Sequence, residues 1–472
     1  MAKADIGLIG LAVMGENLVL NMEAKGYTVA VYNRTLSKVN DFLKNRGAGK
    51  NIIGTYSLKE LAESVKSPRK IMLMIKAGSS VDDMIEKLLP LLDPGDIIID
   101  GGNSNYRDTM RRTAYVEGKG LLYVGTGVSG GEVGALNGPS MMPGGSQKAW
   151  PYVKPVFQAI CAKTEDNFPC CDWVGENGAG HFVKMVHNGI EYGDMELICE
   201  SYHIMKELLG IRAEEMGEIF ASWNRTELNS YLIEITADIL AVKDEDGESL
   251  VEHILDTAGQ KGTGMWTAIS SLEEGVPVTL ITEAVFQRYL SSQKAEREAA
   301  SRLYQKEKER YKGESGEVIS ALRKALLAAK IISYTQGYLL MKSAAGRYGW
   351  DLDYGKIALL WRGGCIIRST FLGKIKEAFD RDPTLSNLLL DSYFQEIMKD
   401  CVPALRKITV LAAEQGIPIP AMASALTYFD GYTCRVLPAN LLQAQRDYFG
   451  AHTYERTDRE RGNFYHTDWL QA

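Results

Sequence analysis

Five short, almost unbroken apolar runs punctuate the first 175 positions: Ile6–Ile9, Thr28–Tyr32, Ile71–Ile75, Ile97–Asp100 and Leu121–Val124. Helical stretches separate them, and Gly, Pro, Asn or Ser clusters bound most of them. Strands that are apolar throughout need cover on both faces, and intervening helices supply it. The pattern predicts a parallel, doubly wound α/β sheet. From His181 to about Thr433 helical patterns dominate, as in Met185–Leu209, Leu228–Val242, Ala321–Ala345 and Pro403–Gln415. The last has its proline at the start, where a helix tolerates one. An all-α domain is expected there, with Pro169–Gly180 as the linker. The expected division is an α/β domain over 1–177, a helical domain over 178–434 and a tail over 435–472.

The helical region carries a weak internal repeat. ESYHIMK at 200–206 resembles QGYLLMK at 336–342, an offset of 136 residues. Trp223 and Trp361 open similar stretches, and SYL at 230–232 echoes TFL at 370–372. A duplicated helical unit is the expectation. The tail is crowded with Arg, Asp and His but also with Tyr448, Phe449, Tyr454, Phe464, Tyr465 and Trp469. Disordered segments are poor in aromatics. Such a tail is expected to dock on its own body or on a partner subunit.

Composition narrows the function classes. At 472 residues the chain exceeds one ordinary core. A net charge of −7 offers no basic excess for nucleic acid. The seven cysteines are scattered without a CxxC, so neither a disulfide framework nor a zinc site is indicated. No run approaches the ~20 apolar residues of a membrane span. The N-terminal MAKADIGLIG lacks the apolar core of a signal peptide. A reducing, cytoplasmic setting is the expectation.

Two motifs carry chemistry. The first is the stretch 180–193, GHFVKMVHNGIEYG. Lys184, His187, Asn188 and Glu191 stand at i, i+3, i+4 and i+7, within about 100° of arc on a helix. The remaining circumference is apolar, with Phe182, Val183, Met185, Val186 and Ile190. A helix that is apolar on most sides turns its polar stripe to a cleft rather than to water.

The second is the turn Gly10-Leu11-Ala12-Val13-Met14-Gly15 between the first strand and a helix. It is GxAxxG, with Ala12 where dinucleotide sites carry a second glycine. A pyrophosphate would sit on the free N–H groups at the helix start. The second strand ends in Asn33-Arg34-Thr35, and no acidic residue stands between Tyr27 and Asn40. An NAD site wants a carboxylate there; Arg34 suits a 2′-phosphate instead. NADP is the expected cofactor. Further strand ends supply Lys76-Ala77-Gly78, the Asn103 loop and the Ser129-Gly130-Gly131 turn, where ligands bind in open parallel sheets.

Together these residues resemble the 6-phosphogluconate dehydrogenase family. GLAVMGENL (10–18), NRT (33–35), DGGNSNYRDT (100–109), GVSGGEVGA (127–135) and KMVHNGIEYGDM (184–195) carry the likeness. GQKGTGMWT (259–267), FQRYL (286–290) and RDYFGAHTYER (446–456) extend it over nearly the full length. The resemblance implies a Rossmann domain, a helical domain and a homodimer whose tails reach into the partner subunits. It implies oxidation of 6-phosphogluconate by NADP⁺ to ribulose 5-phosphate and CO2 in the pentose phosphate pathway, without a metal. Lys184 matches the family's general base and Glu191 its general acid. Gly10 to Gly15, Asn33 to Thr35, Ile75 to Ala77 and Asn103 match cofactor contacts. Asn103, Ser129, Gly130, Gly131, His187 and Asn188 match residues that hold the sugar and carboxylate. Tyr192, Lys261, Thr263 and Arg288 match phosphate ligands. Arg446 and His452 match tail residues that complete that site from the other subunit.

Two other readings stay open on the residues alone. A non-decarboxylating β-hydroxyacid dehydrogenase needs the lysine and asparagine of the stripe but neither Glu191 nor the tail. An NADP-binding scaffold needs neither Lys184 nor Glu191.

Overall fold

Among the described residues, eight strands form one sheet in the order β3-β2-β1-β4-β5-β6-β7-β8. They are β1 (Ile6–Ile9), β2 (Val29–Tyr32), β3 (Ile52–Gly54), β4 (Lys70–Leu73), β5 (Ile97–Asp100), β6 (Leu122–Ser129), β7 (Ser140–Gly145) and β8 (Gly175–Glu176). The first six run parallel, and the five expected runs supply β1, β2, β4, β5 and β6. Successive side chains go to opposite faces. Ile6, Leu8, Met72, Ile97 and Ile99 enter one core with Leu18 and Phe157. Ile9, Ile71, Leu73 and Ile98 enter the other with Leu61, Ile85 and Val116. This is the doubly wound arrangement that the apolar runs require. The computed structural model describes residues 3–304 and 311–470, in two units, Met1–Ala425 and Leu426–Ala472.

Three strands escape the sequence reading. β3 is three half-buried residues. β7 reads SMMPGG, whose proline has no N–H to give and whose glycines resemble a turn. It pairs antiparallel with β6, Val124 to Ser129 against Ser140 to Gly145, so the strand expected to end at Val124 runs on through Ser129. β8 lies inside the expected linker: Pro169–Gly180 is bound to the sheet, with Cys170 and Cys171 buried.

The central helix, Ala179–Glu207, lies against β6 and β7. Glycines permit the approach. A Cβ on Gly180 would stand 2.4 Å from the Met142 carbonyl oxygen and 2.5 Å from that of Gly125. A Cβ on Gly127 would meet the Cβ of Lys184 at 2.3 Å. The sheet end thus sets where the polar stripe begins. The companion helix Ser315–Tyr348 packs along it, covering the expected Ala321–Ala345. Leu228–Val242 shortens to Tyr231–Ala241, with Ser230 as its cap. Pro403 does not open its helix. That helix runs Ser392–Glu414, capped by Asp391 on the Tyr393 N–H (3.0 Å), and holds Pro403 in its interior.

The repeated segments do equivalent work. Glu200 accepts the backbone N–H groups of Ala421 (2.6 Å) and Met422 (2.9 Å), opening the helix Pro420–Thr433. Its counterpart Gln336 accepts the N–H of Leu280 (3.1 Å), opening the helix Thr279–Ser292. Each carries a side-chain oxygen to an otherwise unsatisfied helix start.

A buried ion pair joins the central and companion helices: Lys330 Nζ lies 2.5 Å from Asp194 Oδ2, with both side chains at most 1% exposed. Removing one partner strands the other charge. Lys330→Met is expected to lower unfolding stability by about 3–5 kcal/mol. Urea denaturation measures this, and an unchanged midpoint contradicts it.

The second unit is ordered by its own contacts. A helix, Ala439–Gly450, is followed by a segment in which Tyr454 and Tyr465 exchange backbone hydrogen bonds (2.9 and 2.8 Å).

Candidate active site

The carboxyl ends of β1, β2, β4 and β5 make one edge of the site. Gly10 follows β1 with φ +108°, and a Cβ there would stand 2.4 Å from the Met74 carbonyl oxygen. A Cβ on Gly15 would stand 1.9 Å from the carbonyl oxygen of Gly10. Only glycine closes so tight a turn. Ala12 has extended backbone and gives no side-chain cap to the helix Val13–Ala24. The N–H groups of that first turn, including Val13 and Met14, are therefore free for an anion. Leu11 is buried, and its N–H donates to Asn33 Oδ1 (3.0 Å), while Asn33 Nδ2 donates to the Thr35 carbonyl (3.0 Å). Asn33 thus holds the two loops in register. Arg34 is exposed and makes no ion pair among the described residues. Beyond β4, Ile75 and Ala77 are half-buried and Lys76 is exposed. Asn103 is exposed beyond β5.

Asp100, at the end of β5, shapes the Asn103 loop and was not foreseen. It accepts the Gly102 N–H (3.1 Å), the Ser104 hydroxyl (2.6 Å) and the Tyr123 hydroxyl (3.1 Å). An aspartate before two glycines at a strand end is the signal that could have found it.

The stripe on the central helix faces the end of β6. Ser129 ends β6, and Gly130, at φ +118°, turns the chain into the helix Gly131–Asn137. His187 Nε2 lies 3.2 Å from the Ser129 hydroxyl. Lys184 Nζ donates to Asn188 Oδ1 at 2.6 Å and lies 3.3 Å from His187 Nδ1. Asn188 Nδ2 donates to the Thr263 hydroxyl (3.0 Å). Glu191 Oε2 stands 3.8 Å from His187 Nδ1, its side chain 21% exposed, whereas Lys184 is 6% exposed.

Burial sets the protonation of all three groups. It lowers the Lys184 pKa, against the opposing pull of Glu191. It pushes His187 well below its usual range, helped by Lys184, so the imidazole is neutral. It raises Glu191 above the ordinary carboxyl value, against the pull of Lys184 and Arg288. Among the described residues no carboxylate lies within ion-pair distance of Lys184. The site thus favours an uncharged amine and an uncharged acid on one helix face.

A third group joins the stripe. Thr263 opens the helix Thr263–Glu274 after Gly262. The Arg288 guanidinium stacks 3.4 Å over the Tyr192 ring and donates to the Gly259 carbonyl (3.2 Å). Lys261 is exposed in the 259–262 loop that precedes the helix Thr263–Glu274. Trp361, edge-on to His187 with centroids 5.7 Å apart, and Cys365, whose thiol burial raises to about 12, also border the stripe. The glycine pair Gly363–Gly364 beside them was the overlooked signal. Arg446 and His452 are exposed residues of the second unit.

Known proteins share this architecture. Residues 5–175 match the family model described as the NAD binding domain of 6-phosphogluconate dehydrogenase. Residues 180–469 match the model of the 6-phosphogluconate dehydrogenase C-terminal domain. The chain belongs to the 6-phosphogluconate dehydrogenase family. It is 61% identical over 467 residues to the decarboxylating 6-phosphogluconate dehydrogenase of Haemophilus influenzae, covering 99% of this chain and 96% of the relative. It is 59% identical over 470 residues to the human enzyme of that name, covering 99% and 97%. A solved 6-phosphogluconate dehydrogenase from Plasmodium falciparum superimposes with a TM-score of 0.95 at 46% identity, covering 98% of this chain and all of that one. That protein was solved in its apo form, in complex with its cofactor NADP⁺ and in complex with its substrate 6-phosphogluconate. No helix among the described residues is long and apolar enough to cross a membrane.

Proposed function

We propose that this chain oxidises and decarboxylates 6-phosphogluconate with NADP⁺, releasing ribulose 5-phosphate, CO2 and NADPH in the oxidative pentose phosphate pathway. The observation that carries this reading is the buried stripe: an amine without a carboxylate partner and a carboxyl held towards its protonated form, seven residues apart on one face.

NADP⁺ fits the Gly10–Gly15 turn, with its uncapped helix start, and the exposed Arg34 and Thr35 beside it. Ile75, Lys76, Ala77 and Asn103 line the following strand ends. When bound there, the cofactor accepts the hydride from C3 of the substrate. Lys184 takes the proton of the C3 hydroxyl, which requires the amine to begin neutral. The 3-keto acid is a β-keto acid and loses its carboxyl group as CO2 without a metal. Lys184, now protonated, stabilises the C3 oxygen as the electrons arrive. Glu191 then protonates the carbon that carried the carboxyl group. Lys184 and Glu191 lie about 10 Å apart along the helix axis, so they can act on opposite sides of the sugar chain. Asn103, Ser129, Gly130, Gly131, His187 and Asn188 hold the hydroxyls and carboxylate. Tyr192, Lys261, Thr263 and Arg288 hold the phosphate.

The proposal also takes the chain as a cytoplasmic homodimer built from segments 1–177, 178–434 and 435–472, with Arg446 and His452 completing the partner's phosphate site. The exposed Tyr448 (58%), Phe449 (73%) and Phe464 (66%) favour such a tail. These are large apolar groups that a second copy would cover.

An assay with 6-phosphogluconate and NADP⁺, following NADPH and CO2 together, tests the reading. Equal yields support it. NADPH without CO2 supports the simpler dehydrogenase, and neither product supports the scaffold. Arg34→Ala is expected to raise the KM for NADP⁺ by about 10- to 100-fold, the loss of one charge-assisted contact, and to leave NAD⁺ use nearly unchanged. Equal losses for the two cofactors would exclude a contact from Arg34 to the 2′-phosphate.

A further inference from the structure

The second unit is organised around one carboxylate. Asp447 is 0% exposed. It accepts four hydrogen bonds: the N–H groups of Thr453 and Thr467 (3.0 Å each), His466 Nδ1 (3.0 Å) and Trp469 Nε1 (2.9 Å). Its own carbonyl accepts the N–H of Ala451 at 2.9 Å. The donors come from two stretches, 451–453 and 466–469, so one side chain ties both to the helix Ala439–Gly450. A buried carboxylate with every donor supplied is a strong and directional anchor.

What it anchors are the two tail residues of the proposed phosphate site. His452 stands between Ala451 and Thr453, whose φ values are +49° and +57°. Non-glycine residues hold the left-handed region only where their surroundings fix it. Here the Asp447 carboxylate holds the Thr453 N–H, while the Asp447 main-chain carbonyl holds that of Ala451. Arg446 is the residue before Asp447, and its guanidinium donates to Gln443 Oε1 (3.0 Å). Gln443 in turn donates to the Thr453 carbonyl (2.6 Å), on the segment that Asp447 holds. Arg446, Gln443, Thr453 and Asp447 form one chain of contacts.

We infer that Asp447 is a positioning residue for phosphate recognition: it orients Arg446 and His452 without touching substrate itself. This rests on the reading of those two residues as phosphate ligands. His466 gains a role as one of the four donors.

Steady-state kinetics on the full-length enzyme test it. Asp447→Asn puts an amide before four donors and is expected to raise the KM for 6-phosphogluconate at least tenfold, with the KM for NADP⁺ within twofold. His466→Ala keeps the carboxylate and three donors, and is expected to raise the same KM about threefold even if the first variant fails to fold. Added to an Arg446→Ala/His452→Ala enzyme, Asp447→Asn should change the KM less than twofold, because its effect passes through those side chains. A wild-type KM in both single variants, or an undiminished loss on the double-variant background, overturns the positioning role. An Arg446→Ala/His452→Ala enzyme with an unchanged KM overturns the phosphate reading itself, and the inference with it.

Discussion

Lys184→Met should cut kcat by about 10²–10⁴-fold while 6-phosphogluconate and NADP⁺ still bind within a few-fold of wild type. Methionine keeps the length and the apolar stem but removes the proton acceptor. Lys184 is 6% exposed, and its Nζ contacts are an amide oxygen and a neutral imidazole. Burial without a carboxylate lowers its pKa from the ordinary lysine range towards neutrality. The shift favours the neutral amine that a base needs before it takes a proton from the C3 hydroxyl. Stopped-flow absorbance of NADPH, with separate binding titrations, separates the loss of chemistry from a loss of affinity. A variant with near-wild-type kcat would remove Lys184 from the mechanism.

Glu191→Gln should cost about 10²-fold or more in kcat with a small change in KM. Glutamine preserves shape and hydrogen bonding but cannot give up a proton. Glu191 lies two helical turns from Lys184, and burial raises its pKa. It can thus hold a proton where an exposed carboxyl would have lost it. Formation of ribulose 5-phosphate should suffer more than substrate binding. An unchanged kcat would assign the last protonation to another group.

Much of this was legible because it depends on local pattern. The runs at Ile6, Thr28, Ile71, Ile97 and Leu121 are apolar at consecutive positions, which a sheet covered on both faces demands. The stripe was legible because 3.6-residue periodicity places Lys184, His187, Asn188 and Glu191 together whatever surrounds them. What was missed depends on distant contacts. β7 contains Pro143 and two glycines, and pairing with β6 overrides that local bias. Pro403 resembles a helix start because proline favours the first turn, but the helix already begins eleven residues earlier, at Ser392, capped by Asp391. Asp447 looked like one more charge in a charged tail. Its importance comes from donors 6 to 22 residues away. Arg288 lies 96 residues from Tyr192 in the chain, and only folding lays it on that ring.

In the proposed mechanism one helix face carries a base that must start neutral and an acid that must start protonated. Activity should therefore rise with pH as Lys184 loses its proton, and fall again as Glu191 loses its own. Lys184 is shifted down and Glu191 up, so both limbs move towards neutral pH. The most direct test is the pH dependence of kcat in the wild type and in Glu191→Gln. A bell in the wild type and a single rising limb in the variant is the expected result. A bell that persists unchanged after Glu191 is replaced would contradict the division of labour between the two residues.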